Sequence, residues 1–487
     1  MPQGNATGSP SHRALDVAII GAGVVGCAIA HRLTHFDLRV AIFEATSDVC
    51  GGASRANSGM AITGFDCAPG SLETELVRAA SPRWEQLTEQ LGVPFRRVGE
   101  LVVALGEQDL PALQALAGQA DAYGIDADLL TGEQARGLVP ALASDVVAAL
   151  HVPSEAIIDP IRLTIAYAES AVLNGAVLHR STPVTGFRLS SGRISQVRTA
   201  QGDFSCGYVV NAAGLQADEI SAAAGAEDFR MWARKGQFIL LDRSYGRLVD
   251  KIIVPAPSED TRGTLVIPTT GGGVLLGPTA VDDDDKSNLS HDTATLRGVL
   301  EGAGRLVPAV SSAPHIKYFT GARPASDCLY RIHRSEGVPN LVHAAAIRST
   351  GVSASPAIAD HVVAILADEG LECQPKALPL RRPRRTVPVR EVDPMTYRQL
   401  AAGDDAYKTI VCACEHVSAA EIRDALTSPV PALSLDGVRD RTNATGGRCQ
   451  GSYCSVGVGL MLSNSCGCSA HAVPKDEPGS QWGVGSD

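Results

Sequence analysis

The stretch Ala14-Leu-Asp-Val-Ala-Ile-Ile-Gly-Ala-Gly-Val-Val-Gly26 decides how the rest of the chain is read. Its first seven residues are an apolar, β-branched run of strand length. Gly21-x-Gly23-x-x-Gly26 follows and opens an apolar helical stretch from about Val24 to Leu33. A second strand is expected over Leu38 to Phe43, and it ends in Glu44, 18 positions after Gly26. Strand, glycine turn, helix, strand is the opening of a dinucleotide-binding sheet. Each part has a physical reason. Gly21 permits a tight turn, Gly23 lets the backbone approach a pyrophosphate, and Gly26 allows close helix–strand packing. The helix start at Val24 and Val25 offers N–H groups and partial positive charge to phosphates. Glu44, followed by Ala45, is placed to accept hydrogen bonds from a ribose diol.

The fingerprint alone does not separate FAD from NAD. Further small-residue segments do. Gly51-Gly-Ala-Ser-Arg-Ala-Asn-Ser-Gly59 brings Ser54, Asn57, Ser58 and Gly59 close behind Glu44. The expected strand over 207–211 runs into Ala213 and Gly214, and Ser349-Thr-Gly-Val352 opens a helix near the end of the main body, bringing in Thr350 and Gly351. Approaches spread over more than 300 residues suit a long cofactor such as FAD. Other strands are expected near 98–105, 177–187, 237–241 and 264–276, and helices near 71–91, 107–121 and 159–174. The alternation indicates an α/β architecture.

Composition narrows the class. The 487 residues carry 42 Lys+Arg against 53 Asp+Glu, a net charge of −11, with 45% hydrophobic and 4% aromatic residues. That balance argues against nucleic acid or an anionic membrane surface as the main partner. No apolar run is long enough to span a bilayer. Residues 1–13 read as a disordered polar tail and not as a signal peptide, which leads to a cytoplasmic expectation. The 12 cysteines are then ligands or buried thiols more than disulfides.

These segments resemble the D-amino-acid-oxidase-type superfamily of FAD-dependent oxidoreductases, most closely its glycerol-3-phosphate dehydrogenase and L-2-hydroxyglutarate oxidase branch. The resemblance covers about 14–370. It implies a GR2-type FAD-binding, Rossmann-like domain (14–91, 156–227 and 323–370) interleaved with a mixed-sheet substrate domain (92–155 and 228–322). It also makes Arg323, in Gly-Ala-Arg-Pro, the anchor for a substrate carboxylate and a neighbour of the flavin, since guanidinium pairs with carboxylate bidentately. Arg348 is a second anchor, with Lys235 and Gln237 as further pocket-facing candidates. In this branch a histidine follows the Asn-Ser-Gly unit by three residues. Here that position is Ile62, and His343 is taken as the substitute base.

Beyond a Pro/Arg-rich stretch, read as a linker over 371–406, Cys412-x-Cys414 and Cys449-x4-Cys454 form two short pairs in a compact unit, 407–464. Thiolates in that pattern select Fe–S or Zn, and spacing leaves both open. Gly446 to Gly451 leave backbone amides for sulfur, and Arg448 offsets cluster charge. The unit resembles the [2Fe–2S] domain of bacterioferritin-associated ferredoxin, which implies a [2Fe–2S] cluster on Cys412, Cys414, Cys449 and Cys454. Cys466 and Cys468 fall in an expected flexible tail, 465–487, as spare thiols.

The expected activity is a dehydrogenase. A small carboxylate- or phosphate-bearing substrate, such as a 2-hydroxyacid or glycerol 3-phosphate, reduces FAD. Electrons then leave through the cluster to a quinone or protein carrier, with additional subunits and attachment at the inner membrane face as further expectations. Two alternatives stay open: an amino- or imino-acid dehydrogenase, whose amine needs no strong base, and an electron-transfer module without its own substrate.

Overall fold

The computed structural model describes residues 14–227, 229–257, 263–384 and 386–481. The expected tail 1–13 and the last residues, 482–487, lie outside them. The opening is as the glycine pattern requires. Strand β1 (Leu15–Ile20), helix α1 (Val24–Leu33) and strand β2 (Val40–Phe43) form a βαβ unit with β1 and β2 parallel, Val17 paired with Val40 and Ile20 with Phe43. The other side of β1 pairs in parallel with the strand Gly202–Asn211, whose far end pairs with Leu341–Ala345. With the Val177–His179 strand beyond β2, two antiparallel strands over Val184–Thr199, and Arg331–Arg334 antiparallel to Leu341–Ala345, these make an eight-stranded sheet.

The apolar runs of β1, β2 and Leu341–Ala345 are buried on both faces, one under helices and the other against Phe187, Ile194, Val197 and Ile220. α1, the helix Pro160–Leu173 and the 18-residue helix Gly351–Asp368 pack together on one face, with Ile29, Leu33, Leu163, Tyr167, Ile358 and Leu366 in one core.

A second, nine-stranded sheet holds the segments expected to form the substrate domain. Its longest pairing is antiparallel, between Trp232–Leu241 and the edge strand His315–Ala325, registered with Arg234 opposite Arg323 and Gly236 opposite Gly321. Arg323 therefore belongs to the substrate sheet, and the boundary expected at 322/323 falls inside one strand.

Two expected spans differ. The helix read over 71–91 is two helices, Leu72–Ala80 and Trp84–Leu91, separated by a short turn over Ser81–Arg83. Pro82 in that turn has no N–H to continue the ladder. The linker 371–406 is not a loose tether: Leu371 and Val389 are buried, Asn174 exchanges hydrogen bonds with both backbone groups of Arg381, and Pro394–Gly403 is a helix capped by Asp393.

The cysteine unit is small and helical. Its helices Ala419–Leu426, Leu435–Thr442 and Ser455–Cys466 surround Val417, Ile422, Val438, Val458 and Leu462. Residues 465–481, expected to be flexible, fold back. Val473 enters that core, and Cys466 and Cys468 are joined as a disulfide, which removes them from any ligand set. Among the described residues no helix is long and apolar enough to cross a membrane.

Candidate functional site

The turn between β1 and α1 has the geometry a pyrophosphate needs. Gly21 sits at φ +99°, and a β-carbon there would lie 2.5 Å from the carbonyl oxygen of Ala212. α1 begins at Gly23 without a side-chain cap, so its N-terminal dipole and N–H groups face outward, apart from the Val24 N–H, which donates to Ser54 Oγ at 3.0 Å. The carboxylate of Glu44 accepts the Ala22 N–H at 2.7 Å and both the N–H and hydroxyl of Thr46 at 2.8 Å. It is thereby fixed at the end of β2, with exposed Ala45 beyond it.

The loop after this turn is tied to the far end of the chain. Asn57 Nδ2 donates to the Ser349 carbonyl at 3.2 Å, and its Oδ1 receives the Gly59 N–H at 2.9 Å. Gly59, at φ +75°, brings the chain against Ile158, where a β-carbon would sit 2.5 Å from a carbonyl oxygen. Half-buried Ser58 lies between them. The helix Gly351–Asp368 also starts without a side-chain cap, and Gly351 lies against Val25 and Val24 of α1. Two helix N-termini therefore meet beside the 54–59 loop, with the half-buried Ala213–Gly214 turn ending the strand next to β1. A cradle closed to β-carbons, two uncapped helix starts and a fixed carboxylate fit a dinucleotide. When bound, the flavin supplies the hydride chemistry and the chain supplies position.

Several residues sit differently from expectation. The Thr350 hydroxyl turns inward, donating to Glu73 Oε1 at 2.5 Å and pairing with Tyr330 at 2.8 Å, so only its backbone is left for a cofactor. Val352 is buried and likewise contributes backbone alone. The reading of His343 as a base is corrected. It is fully buried, Nε2 lies 2.8 Å from Glu227, Asn211 Nδ2 donates to Nδ1 at 3.2 Å, and burial lowers its pKa. Both nitrogens are engaged, and the ring ties the sheet to the Glu227 loop.

Arg323 is committed to backbone. Nε donates to the Arg234 carbonyl at 3.0 Å, and Nη2 donates to Lys235 at 3.2 Å and to Thr279 at 2.6 Å. Burial, with repulsion from Arg234 and Arg348, pushes its pKa down to about 10. Arg348 is half-buried near it and makes no such bonds among the described residues. Lys235 pairs with Asp283 at 3.4 Å, and Gln237 with Asp292 at 3.3 Å. Ile62 is buried, its N–H donating to Ser353 Oγ.

The structure brings the four thiols together. Sγ of Cys412 and Cys414 are 3.8 Å apart, those of Cys414 and Cys449 are 3.7 Å apart, and Cys454 is hydrogen-bonded to Cys412, which lowers its pKa to about 7. Backbone N–H groups point at the sulfurs: Glu415 and Thr445 at Cys412, Cys449 at Cys414, Gly451 and Tyr453 at Cys449. Thr445, Gln450 and Gly451 take positive φ, which turns successive amides inward as an anion nest. Among the described residues no three His, Cys, Asp or Glu groups are set to hold a single metal ion. Amide donors around four thiols suit a cluster of spread charge. Arg448 does not face the thiols alone. It pairs with Asp242 of the substrate sheet at 3.0 Å.

A dinucleotide cradle, a substrate sheet across from it and an amide-lined thiol set define a flavin-dependent oxidoreductase with an iron–sulfur domain. Residues 16–365 match the family model for FAD dependent oxidoreductases, and 410–463 match the BFD-like [2Fe-2S] binding domain. The chain belongs to the FAD dependent oxidoreductase family and carries FAD and a [2Fe–2S] cluster. It is 33% identical over 468 residues to a glycerol 3-phosphate dehydrogenase of Caloramator mitchellensis, covering 96% of this chain and 97% of that one. It is 28% identical to the glycerol 3-phosphate oxidase of Mycoplasma pneumoniae, over 72% of this chain and 94% of the relative. The solved structure of L-α-glycerophosphate oxidase from that organism, with FAD bound, superposes with a TM-score of 0.70 at 26% identity, covering 75% of this chain and 97% of that one.

Sequence reasoning missed Glu73, whose carboxylate fixes Thr350, and Arg55, described below. Glu73 lies in an amphipathic helix pattern with nothing to mark its burial.

Proposed function

We propose that this enzyme oxidises a small phosphate-bearing alcohol of the glycerol 3-phosphate type and passes the electrons, through its cluster domain, to an acceptor other than dioxygen. The observation that carries the reading is full-length similarity, across both domains, to a protein named glycerol 3-phosphate dehydrogenase. The site agrees with an anionic substrate. Arg348 stands half-buried near Arg323, whose Nε and Nη2 donate to carbonyls, and among the described residues no side-chain donor of Arg348 is engaged, which favours Arg348 as the cation that holds the anion. Arg323 shapes the floor on which that anion lies. The acceptor is a quinone or protein carrier, met from the cytoplasmic side, with partner subunits where the carrier is a protein.

Ile62 favours a second reading. With no imidazole at that position, an amino or imino acid, whose nitrogen lone pair assists hydride departure, needs less help than an alcohol does. Anaerobic bleaching of the flavin decides between them. Glycerol 3-phosphate should bleach it within the mixing experiment, while L-2-hydroxyglutarate, proline and glycine should leave it oxidised. Bleaching by an amino acid alone overturns the first reading.

A further inference from the structure

The cluster domain grips the same loop that cradles the FAD. Arg55 lies in the short turn Ala53–Ala56, between Ser54 and Asn57. Its guanidinium is 2.8 Å from Asp440 and 3.7 Å from Asp436 on the Leu435–Thr442 helix, and 3.2 Å from Asp476 in the returning C-terminal segment. Some eight residues earlier the loop is gripped again. Arg441 makes a two-pronged pair with Asp48, at 2.7 and 2.9 Å, and the Ser47 N–H donates to Glu477. The approach is close. A β-carbon on Gly437 would sit 3.0 Å from Asp48 Oδ2. Val430 of the cluster unit also belongs to the apolar core of the FAD domain.

Both ends of the 47–55 segment are thus held from outside the FAD domain, by charge pairs largely removed from water. Such pairs are strongly directional, and removing one partner leaves the other buried and uncompensated. The segment runs from just past Glu44 to just before Asn57, the two residues that fix the ribose and flavin ends of the cradle.

We propose that Arg55 is a positioning residue through which docking of the cluster domain and retention of FAD are coupled. FAD holds the loop in the shape that the three aspartates recognise, and the docked domain in turn slows loss of FAD. The coupling is reciprocal by thermodynamic necessity. It also holds the cluster at a fixed place relative to the flavin. None of this depends on which substrate is oxidised.

The test uses full-length holoprotein and compares wild type with Arg55→Gln, Asp440→Asn and the double variant. Cluster absorbance and its reduced electron-paramagnetic-resonance signal check that the domain is folded and loaded in each. FAD dissociation is followed by the rise in free-flavin fluorescence after dilution. Each single variant should release FAD at least 10-fold faster, and the double variant should be no faster than the worse single one, since both remove one interaction. In a second measurement, FAD removal should expose the bond after Arg441, on the docked face, to trypsin in wild type, and added FAD should restore protection there but not in Arg55→Gln. FAD release unchanged in both singles, or effects that multiply in the double variant, overturns the proposal. If Arg55→Gln fails to accumulate, Asp440→Asn reads the same contact from the other side.

Discussion

The carbonyl oxygen of Gly21 lies 2.0 Å from the point a β-carbon on Gly26 would occupy. The first turn of α1 is therefore pressed onto the end of β1, and the cradle for the pyrophosphate exists because of that contact. Gly26→Ala has no room to relax, since the obstacle is backbone. It should destabilise the fold by about 1–3 kcal/mol and yield protein with less than stoichiometric FAD, measured by thermal melting and by the ratio of absorbance at 450 to that at 280 nm.

Glu44 has a task in the fold, and we assign it a second toward the cofactor. Its carboxylate satisfies the N–H groups of Ala22 and Thr46 before any ribose arrives. Glu44→Ala leaves these donors poorly matched, at a cost of about 1–3 kcal/mol, and weakens FAD binding as well. Glu44→Gln should keep much of the fold and lose mainly affinity, which titration of apoprotein with FAD will show.

The two arginines of the substrate side should separate cleanly. Arg323→Ala removes two hydrogen bonds to the adjacent strand and one to the Thr279 loop, so its main effect is on stability, on the order of 2–4 kcal/mol. Arg348→Ala should leave the melting temperature within a degree or two and raise KM for glycerol 3-phosphate by roughly 10–100-fold, the loss of one charge-assisted contact. Steady-state kinetics with an artificial acceptor measures the second, and calorimetry the first.

Much of this layout is legible in the chain, and the reason is local. Ala14 to Glu44 fixes β1, α1 and β2 because glycine, burial and helix start all agree over thirty residues. The cysteine pairs are legible for the same reason. His343 is not. A histidine in an apolar strand looks the same in sequence whether it faces a pocket or, as here, a carboxylate 116 positions away. Glu477 reaching Ser47 and Arg448 reaching Asp242 are equally invisible, since nothing in their neighbourhoods specifies a partner. Val473 enters a core, but nothing in the sequence sets it apart from the other apolar residues of the tail, such as Ala470 and Ala472.

Cys449 and Cys466 lie 17 positions apart in sequence and belong to different chemistry. Cys449→Ser should abolish the cluster's visible and paramagnetic signals while the flavin stays bound. Cys466→Ser, which opens the bond to Cys468, should preserve both signals. Iron analysis alongside flavin content decides each case.

His31 gives the fold an acid limb. Burial, with nearby His35 and Arg32, lowers its pKa from 6.5 to about 3. The folded chain keeps it neutral, with Nδ1 3.0 Å from the Ser170 hydroxyl, while the unfolded chain protonates it near 6.5. Stability is therefore full above pH 6.5 and falls as pH drops toward 3, by up to about 1.4 kcal/mol per unit. His31→Gln should flatten that slope, read by denaturant unfolding at pH 7.5, 6 and 5.

The hydrogen bond from Ser47 to Glu477 spans 430 positions, and that has a meaning for biosynthesis. A chain leaving the ribosome presents its amino-terminal half first, at about 5–20 residues per second, so Arg55 must wait for a partner, Asp476, made 421 positions later. Where docking and FAD retention are coupled through Arg55, a polypeptide cut short before residue 476 should hold its flavin less tightly than one that carries residues 476 and 477.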